Sequence, residues 1–75
     1  MSIEINAGDQ FLHFKGTVYE VICVGEHAEG EGDMVVYKAV NKPKIWVRPI
    51  SMFLSPVDKE KYPDVKQEIR FEKLP

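Results

Sequence analysis

Residues 18–24 read VYEVICV and residues 34–40 read MVVYKAV, two stretches dense in β-branched and aromatic side chains. Such residues fit the pleated, half-buried surface of a sheet, so each stretch predicts a strand. Between them EHAEGEGD brings Glu26, Glu29, Glu31 and Asp33 together with Gly30 and Gly32, the composition of a polar loop. The two strands therefore predict an antiparallel hairpin. Setting Val24 opposite Met34 places Ile22 opposite Val36, Glu20 opposite Lys38 and Val18 opposite Val40. An opposite-charge cross-strand pair emerges from this register without being imposed, a kind of pair that contributes about 0.2–1 kcal/mol.

Working outward, NKPK at residues 41–44 predicts a turn and Ile45–Arg48 a third strand. The meander then sets Val40 opposite Ile45, Ala39 opposite Trp46 and Tyr37 opposite Arg48. Pro49 has no N–H for a ladder and ends that strand. ISMFL at residues 50–54 is too short for a stable helix and predicts a single 3₁₀ turn. Upstream, a short segment Phe11–Lys15 precedes the punctuation of Gly16-Thr17. In the tail, Asp64 is placed to cap a helix with Val65 and Ile69 on one face. The alternation of Gln67, Ile69 and Phe71 instead favours a closing strand. Several short strands with close turns predict an all-β fold, a small β-barrel in a single domain over 1–75 with its core in 8–72.

Side chains alternate along a strand. One face of the meander therefore carries Tyr19, Val21, Cys23 and Val35, continuing through Tyr37, Ala39, Trp46 and Arg48. The other carries Val18, Ile22, Val36, Val40, Ile45 and Val47, with Glu20 and Lys38 at its centre. The aromatic face predicts the interior and the face with the charged pair the exterior. Because the exterior is itself aliphatic, a cover is expected over part of it: the tail, the N-terminal IEI, or another subunit. Monomer and homodimer are both compatible with this pattern.

Composition narrows the function. The chain is 44% hydrophobic and 29% charged, ordinary for a globular domain, and its net charge of −2 leaves no excess of cations to neutralise nucleic-acid phosphates. A local basic patch remains compatible with that balance. No apolar run approaches the ~20 residues that span a bilayer, and MSIEINAGDQ does not read as a signal peptide. The lone cysteine cannot form an internal disulfide, which fits a reducing cytoplasm. The expected location is cytoplasmic, without membrane association.

Chemistry-bearing residues are few. Cys23 lies mid-strand in an apolar run, the setting of a buried, inert thiol. The acidic loop with His27 lacks the alternating ligands of a calcium loop, and GEGD lacks the Lys-Ser/Thr and following helix of a phosphate loop. Nothing converges on an acid, a base or a ligand set, so no catalytic site, metal or cofactor is expected. The best constellation is Tyr37, Trp46 and Arg48, since arginine stacks on rings and offers a planar fork to carboxylates. His13 and Lys15 alternate with Leu12 and Phe14 and are expected to face solvent near the barrel mouth. Arg48 is expected half-buried at the rim, strutting the barrel end against the Tyr37 ring with part of its fork free.

HFKG, YEV, VVY, WVRP and MF, followed by a late RF, occur in this order at residues 13–16, 19–21, 35–37, 46–49, 52–53 and 70–71. In this order and spacing they resemble a family of short bacterial proteins known only as a domain of unknown function. The resemblance covers residues 8–72 and implies an SH3-like β-barrel. It departs from the family pattern after His27, where Ala28-Glu29-Gly30 replaces a Ser/Thr-Glu-Thr stretch. The resemblance brings no activity with it. The function expected is a non-catalytic interaction module that binds a protein or peptide through Tyr37, Trp46, Arg48, His13 and Lys15. The alternative is a small barrel binding RNA or single-stranded DNA through His13, Lys15, Arg48 and Arg70, with Trp46 or Tyr37 stacking on bases.

Overall fold

The computed structural model describes residues 4–30 and 32–75. Five strands and one helical turn follow in order: β1 (Gln10–His13), β2 (Val18–Glu26), β3 (Asp33–Ala39), β4 (Ile45–Pro49), α1 (Ile50–Phe53) and β5 (Phe71–Lys73). All pairings are antiparallel in one sheet of order β4-β3-β2-β1-β5. The β1–β2 reversal runs through Gly16 at φ 98°, a left-handed conformation that glycine adopts without steric cost. It is closed by the Gly16 N–H donating to the His13 carbonyl at 2.8 Å and the His13 N–H to the Thr17 carbonyl at 2.8 Å.

The hairpin register matches the expectation in its proximal half, where Tyr19 faces Ala39, Glu20 faces Lys38 and Val21 faces Tyr37. Ile22 is then an extra residue on β2, and beyond it Cys23 faces Val36, Val24 faces Val35 and Gly25 faces Met34. A bulge of this kind moves the following side chains to the opposite face. Cys23 accordingly leaves the interior side, and the expectation of a buried thiol is corrected: Cys23 is exposed. The β3–β4 register slips by two from the expected one, pairing Tyr37 with Trp46 and Val35 with Arg48. A slip of two preserves faces, so the aromatic assignment survives while the neighbours change.

The core gathers on that aromatic face. Phe11, Val21, Val35, Tyr37, Phe53 and Phe71 form one buried cluster, with Ile5, Tyr19, Ile50 and Leu54 packed against it. Phe53 and Phe71 stack with centroids 4.0 Å apart and planes within 3°, and Phe11 meets Phe53 edge-on at 5.1 Å. Fully burying a side chain of this size stabilises by about 1.5–3 kcal/mol, so these three rings carry much of a small domain's stability. The turn at 50–53 is α rather than 3₁₀, because the Leu54 N–H reaches back four residues to the Ile50 carbonyl at 2.9 Å. It serves to drop Phe53 into the core.

The sheet does not close into a barrel. β4 and β5 are the two ends of the strand order, and residues 50–70 link them in the chain. Phe53 and Phe71 pack against Phe11 and Tyr37 in the core on the interior face. The tail is a strand, as the alternation favoured, but its ladder begins only at Phe71; Ile69 makes an isolated bridge to Pro56. The tail packs on the interior side, and the outer aliphatic stripe stays open, with Ile45 and Val47 each 59% exposed. Ile3 of the N-terminal IEI lies outside the described residues. No helix among the described residues is long and apolar enough to cross a membrane.

Candidate functional site

His13 ends β1 two residues after buried Phe11, so it shares the interior face instead of facing solvent as expected. It sits opposite Phe71 in the ladder, meets that ring edge-on at 4.8 Å and stacks on Phe14 at 4.5 Å. The turn bends back so that the Lys15 N–H donates to His13 Nδ1 at 3.1 Å, which leaves the neutral ring its hydrogen on Nε2. Burial depresses the His13 pKa below its ordinary 6.5, and the nearby cations Lys15, Arg70 and Arg48 depress it further.

A second wall comes from the segment after α1. Asp58 Oδ1 accepts from the backbone N–H groups of Glu60 at 3.0 Å and Lys61 at 3.3 Å, and the Tyr62 N–H returns to the Asp58 carbonyl at 2.9 Å. This local turn presents Lys61 and Tyr62 toward the β1–β2 reversal. Phe14 packs against Tyr62 at 4.9 Å, and the Lys15 ammonium lies 5.9 Å from the Phe14 ring and 5.6 Å from the Tyr62 ring. Arg70 is held through its backbone, its N–H donating to the Ser55 carbonyl at 2.8 Å and its carbonyl accepting from the Phe14 N–H at 3.1 Å. The Gln67 amide adds hydrogen bonds to the carbonyls of Leu12 at 2.8 Å and Ile69 at 2.9 Å.

Two recesses result, and they share His13 and Arg48. The larger, of about 350 Å³, lies between the reversal and the 56–62 turn, with Lys15, Lys61 and Arg70 around it and Asp58 as its single carboxylate. The smaller, of about 130 Å³, is lined by Tyr19, Tyr37, Trp46 and Phe71. The two ion pairs among the described residues are Lys59–Glu68 and Lys73–Asp9, so none of Lys15, Arg48, Lys61 and Arg70 is neutralised by a carboxylate. Four cations with no ion-pair partner among the described residues thus border one recess of a chain whose net charge is −2.

All five expected contact residues border these recesses: His13 and Arg48 both of them, Lys15 the larger, Tyr37 and Trp46 the smaller. Their roles differ from those expected. Arg48 is half-buried at the end of β4; the register slip moves Tyr37 opposite Trp46, yet the Arg48 side chain still hydrogen-bonds Tyr37 and its guanidinium also lies 5.9 Å from the Phe71 ring. Tyr37 is only 3% exposed and forms floor, not platform; burial raises its pKa against the lowering effect of Arg48. Trp46 is 43% exposed, with the Lys44 ammonium 4.3 Å from its ring centroid. Lys61, Tyr62 and Phe14 were not foreseen. The only hint in the sequence is the pairing of Lys and aromatic neighbours in Phe14-Lys15 and Lys61-Tyr62, which does not say that the two dipeptides meet. The acidic hairpin end forms a separate recess lined by Glu26, His27 and Asp33, and among the described residues no group of three or more His, Cys, Asp or Glu side chains is placed to hold a metal ion.

Among curated proteins and among solved structures nothing matches the chain. A family model described as Protein of unknown function (DUF1653) matches residues 9–73, from just before β1 to the last residue of β5. The whole sheet and both walls of the cleft fall within that span, and the chain belongs to this family.

Proposed function

We propose that the protein is a non-catalytic, cytoplasmic interaction module of SH3-like build that holds a segment of a partner protein in its aromatic–cationic cleft. The SH3-like reading draws support from the strand order β4-β3-β2-β1-β5 and the single helical turn between the fourth and fifth strands. The observation that carries the binding reading is the pair of recesses that share His13 and Arg48, one walled by rings and the other by four cations without a carboxylate partner among the described residues. Such a cleft suits a peptide that offers an apolar or planar side chain beside an acidic one. A rigid ring surface costs little entropy to present, and arginine forks add orientation. A long single strand of RNA or DNA is served less well, because the cations gather in one recess and do not track along a groove. Glu26 and Asp33 at the hairpin end would also repel a polyanion.

An array of synthetic peptides pairing acidic with aromatic residues tests this, with homopolymeric RNA and single-stranded DNA as competitors. The expected result is a subset of acidic–aromatic peptides bound by the native chain and weakened at least tenfold by Trp46→Ala. Preferential capture of the oligonucleotides, with affinity falling steeply as salt rises, would replace the peptide reading by the nucleic-acid one.

A further inference from the structure

The geometry points to a phosphomonoester as the anion that the larger recess takes, an inference that rests on the binding reading above and names the chemistry of its cationic end. Lys15, Arg48, Lys61 and Arg70 all border one space of about 350 Å³, near the lower end of the roughly 300–1,000 Å³ of ligand pockets. That is room for a phosphorylated side chain rather than a long segment of chain. Asp58 is the only carboxylate there, and its Oδ1 is engaged by two backbone N–H groups, so it serves the turn that presents Lys61.

Charge decides between the two common anions. A carboxylate brings one negative charge and two oxygens, enough for one arginine fork. The remaining cations would then be desolvated without a counter-charge when the recess filled, which is costly. A phosphomonoester carries about −1.5 to −2 at neutral pH and presents three oxygens, so several side chains can each find an acceptor. Arginine matches phosphate geometry bidentately, and lysine contributes as a point charge. Two arginines and two lysines on separate elements supply both modes, and His13 adds a neutral Nε2–H donor at the join with the aromatic recess. Beyond burial, which is the main cause of the lowered His13 pKa, Lys15, Arg70 and Arg48 each push it further down, as neighbours of like charge do. The walls beside the cations are rings, Phe14 and Tyr62, which suits a phosphate carried on an aromatic or apolar group.

The test uses the intact chain with phenyl phosphate and benzoate, which present the same ring on different anions, followed by amide chemical shifts and calorimetry at a pH above 7. Phenyl phosphate is expected to bind at least tenfold more tightly than benzoate and to move the amide signals of Lys15, Gly16, Lys61, Tyr62 and Arg70. Lys61→Gln, at an exposed position that leaves the core untouched, should weaken it severalfold, and Arg70→Gln tenfold or more with an unchanged spectrum elsewhere. Phosphotyrosine and phosphoserine peptides then separate a phosphorylated protein from a free phosphate ester, which alone would bind as well as either peptide if the source were a small molecule. Equal or tighter binding of benzoate overturns the phosphate assignment and leaves the peptide-binding reading standing. Phenyl phosphate shifts confined to residues outside the recess, or no binding of either anion, overturn the assignment as well. Failure of the acidic–aromatic peptides together with both anions removes the binding reading itself.

Discussion

The two faces of the sheet are made of similar residues and meet opposite fates. On the interior face Val21, Val35 and Tyr37 are sealed beneath Phe53 and Phe71. On the outer face Val40, Ile45 and Val47 remain exposed. The strands themselves do not account for this difference, since valine and isoleucine are favoured in strands for their fit to the pleat as well as for burial. The covering segment does: residues 50–73 bring Phe53, Val57 and Phe71 to one side only. An aliphatic strand face is thus a weak sign of core, and an aromatic residue arriving from a distant segment is a strong one.

Substitution should separate the faces cleanly. Phe71→Ala is expected to cost about 3–5 kcal/mol, as large aromatic truncations in cores do, and to lower the melting temperature sharply or prevent folding. Val47→Thr on the outer face keeps β-branching and should stay within ~0.5 kcal/mol. Comparable losses for the two in thermal melts monitored by circular dichroism would show that something covers the outer face in solution.

Arg48 lies where the interior face opens into the cleft. Arg48→Ala removes the guanidinium beside Phe71 and the packing of its stem, at a cost of about 1 kcal/mol. Arg48→Lys should recover less than half of this, because an ammonium has no plane to lay along the ring. An unchanged melting temperature for Arg48→Ala, with ligand capture lost, would make Arg48 a contact residue and no strut.

His13 gives the interior side a pH signature. Its pKa is lower in the fold than the ordinary 6.5, so the unfolded chain binds the proton more readily. The stability tied to a neutral His13 is therefore complete above about pH 6.5 and is lost as pH falls through the folded-state value. His13→Gln should melt with a shallower decline between pH 7 and pH 5 than the native chain. A parallel decline in both would place the acid sensitivity elsewhere. The smallest effect is expected on the outer face, where Glu20 and Lys38 are ladder partners without a salt bridge between them. A double-mutant cycle there should return a coupling near ~0.2 kcal/mol, and one above ~1 kcal/mol would mean that the pair is shielded from water.

Much of this was legible because period-2 alternation survives errors of detail. The Glu20–Lys38 pairing could be read from complementary charge, and the slip of two between β3 and β4 left every face intact. Ile22 was not legible as a bulge, since Ile22 and Cys23 suit either face equally and the extra residue shows only in the ladder. Arg48 was legible at a rim beside Tyr37, which it does hydrogen-bond, but its second ring was not, because Phe71 reaches it through the fold and not through the meander. Lys61 and Tyr62 were not legible, dispersed in a tail whose path over the sheet no local rule foretells, whereas Arg70 could be grouped with Lys15 and Arg48.

The pairing of His13 with Phe71 has a kinetic meaning. The β2–β3 and β3–β4 hairpins join neighbours in the chain and can form on the timescale of local turns, microseconds for an isolated hairpin. The β1–β2 hairpin is local too, but the β1–β5 pairing joins strands separated by nearly the whole domain, and such distant contacts slow folding toward milliseconds or longer. Both walls of the cleft depend on that last encounter, because Phe14 and Arg70 are joined backbone to backbone across it. A partly folded chain would therefore carry a finished meander and no cleft, so the recess is completed all at once with the final strand.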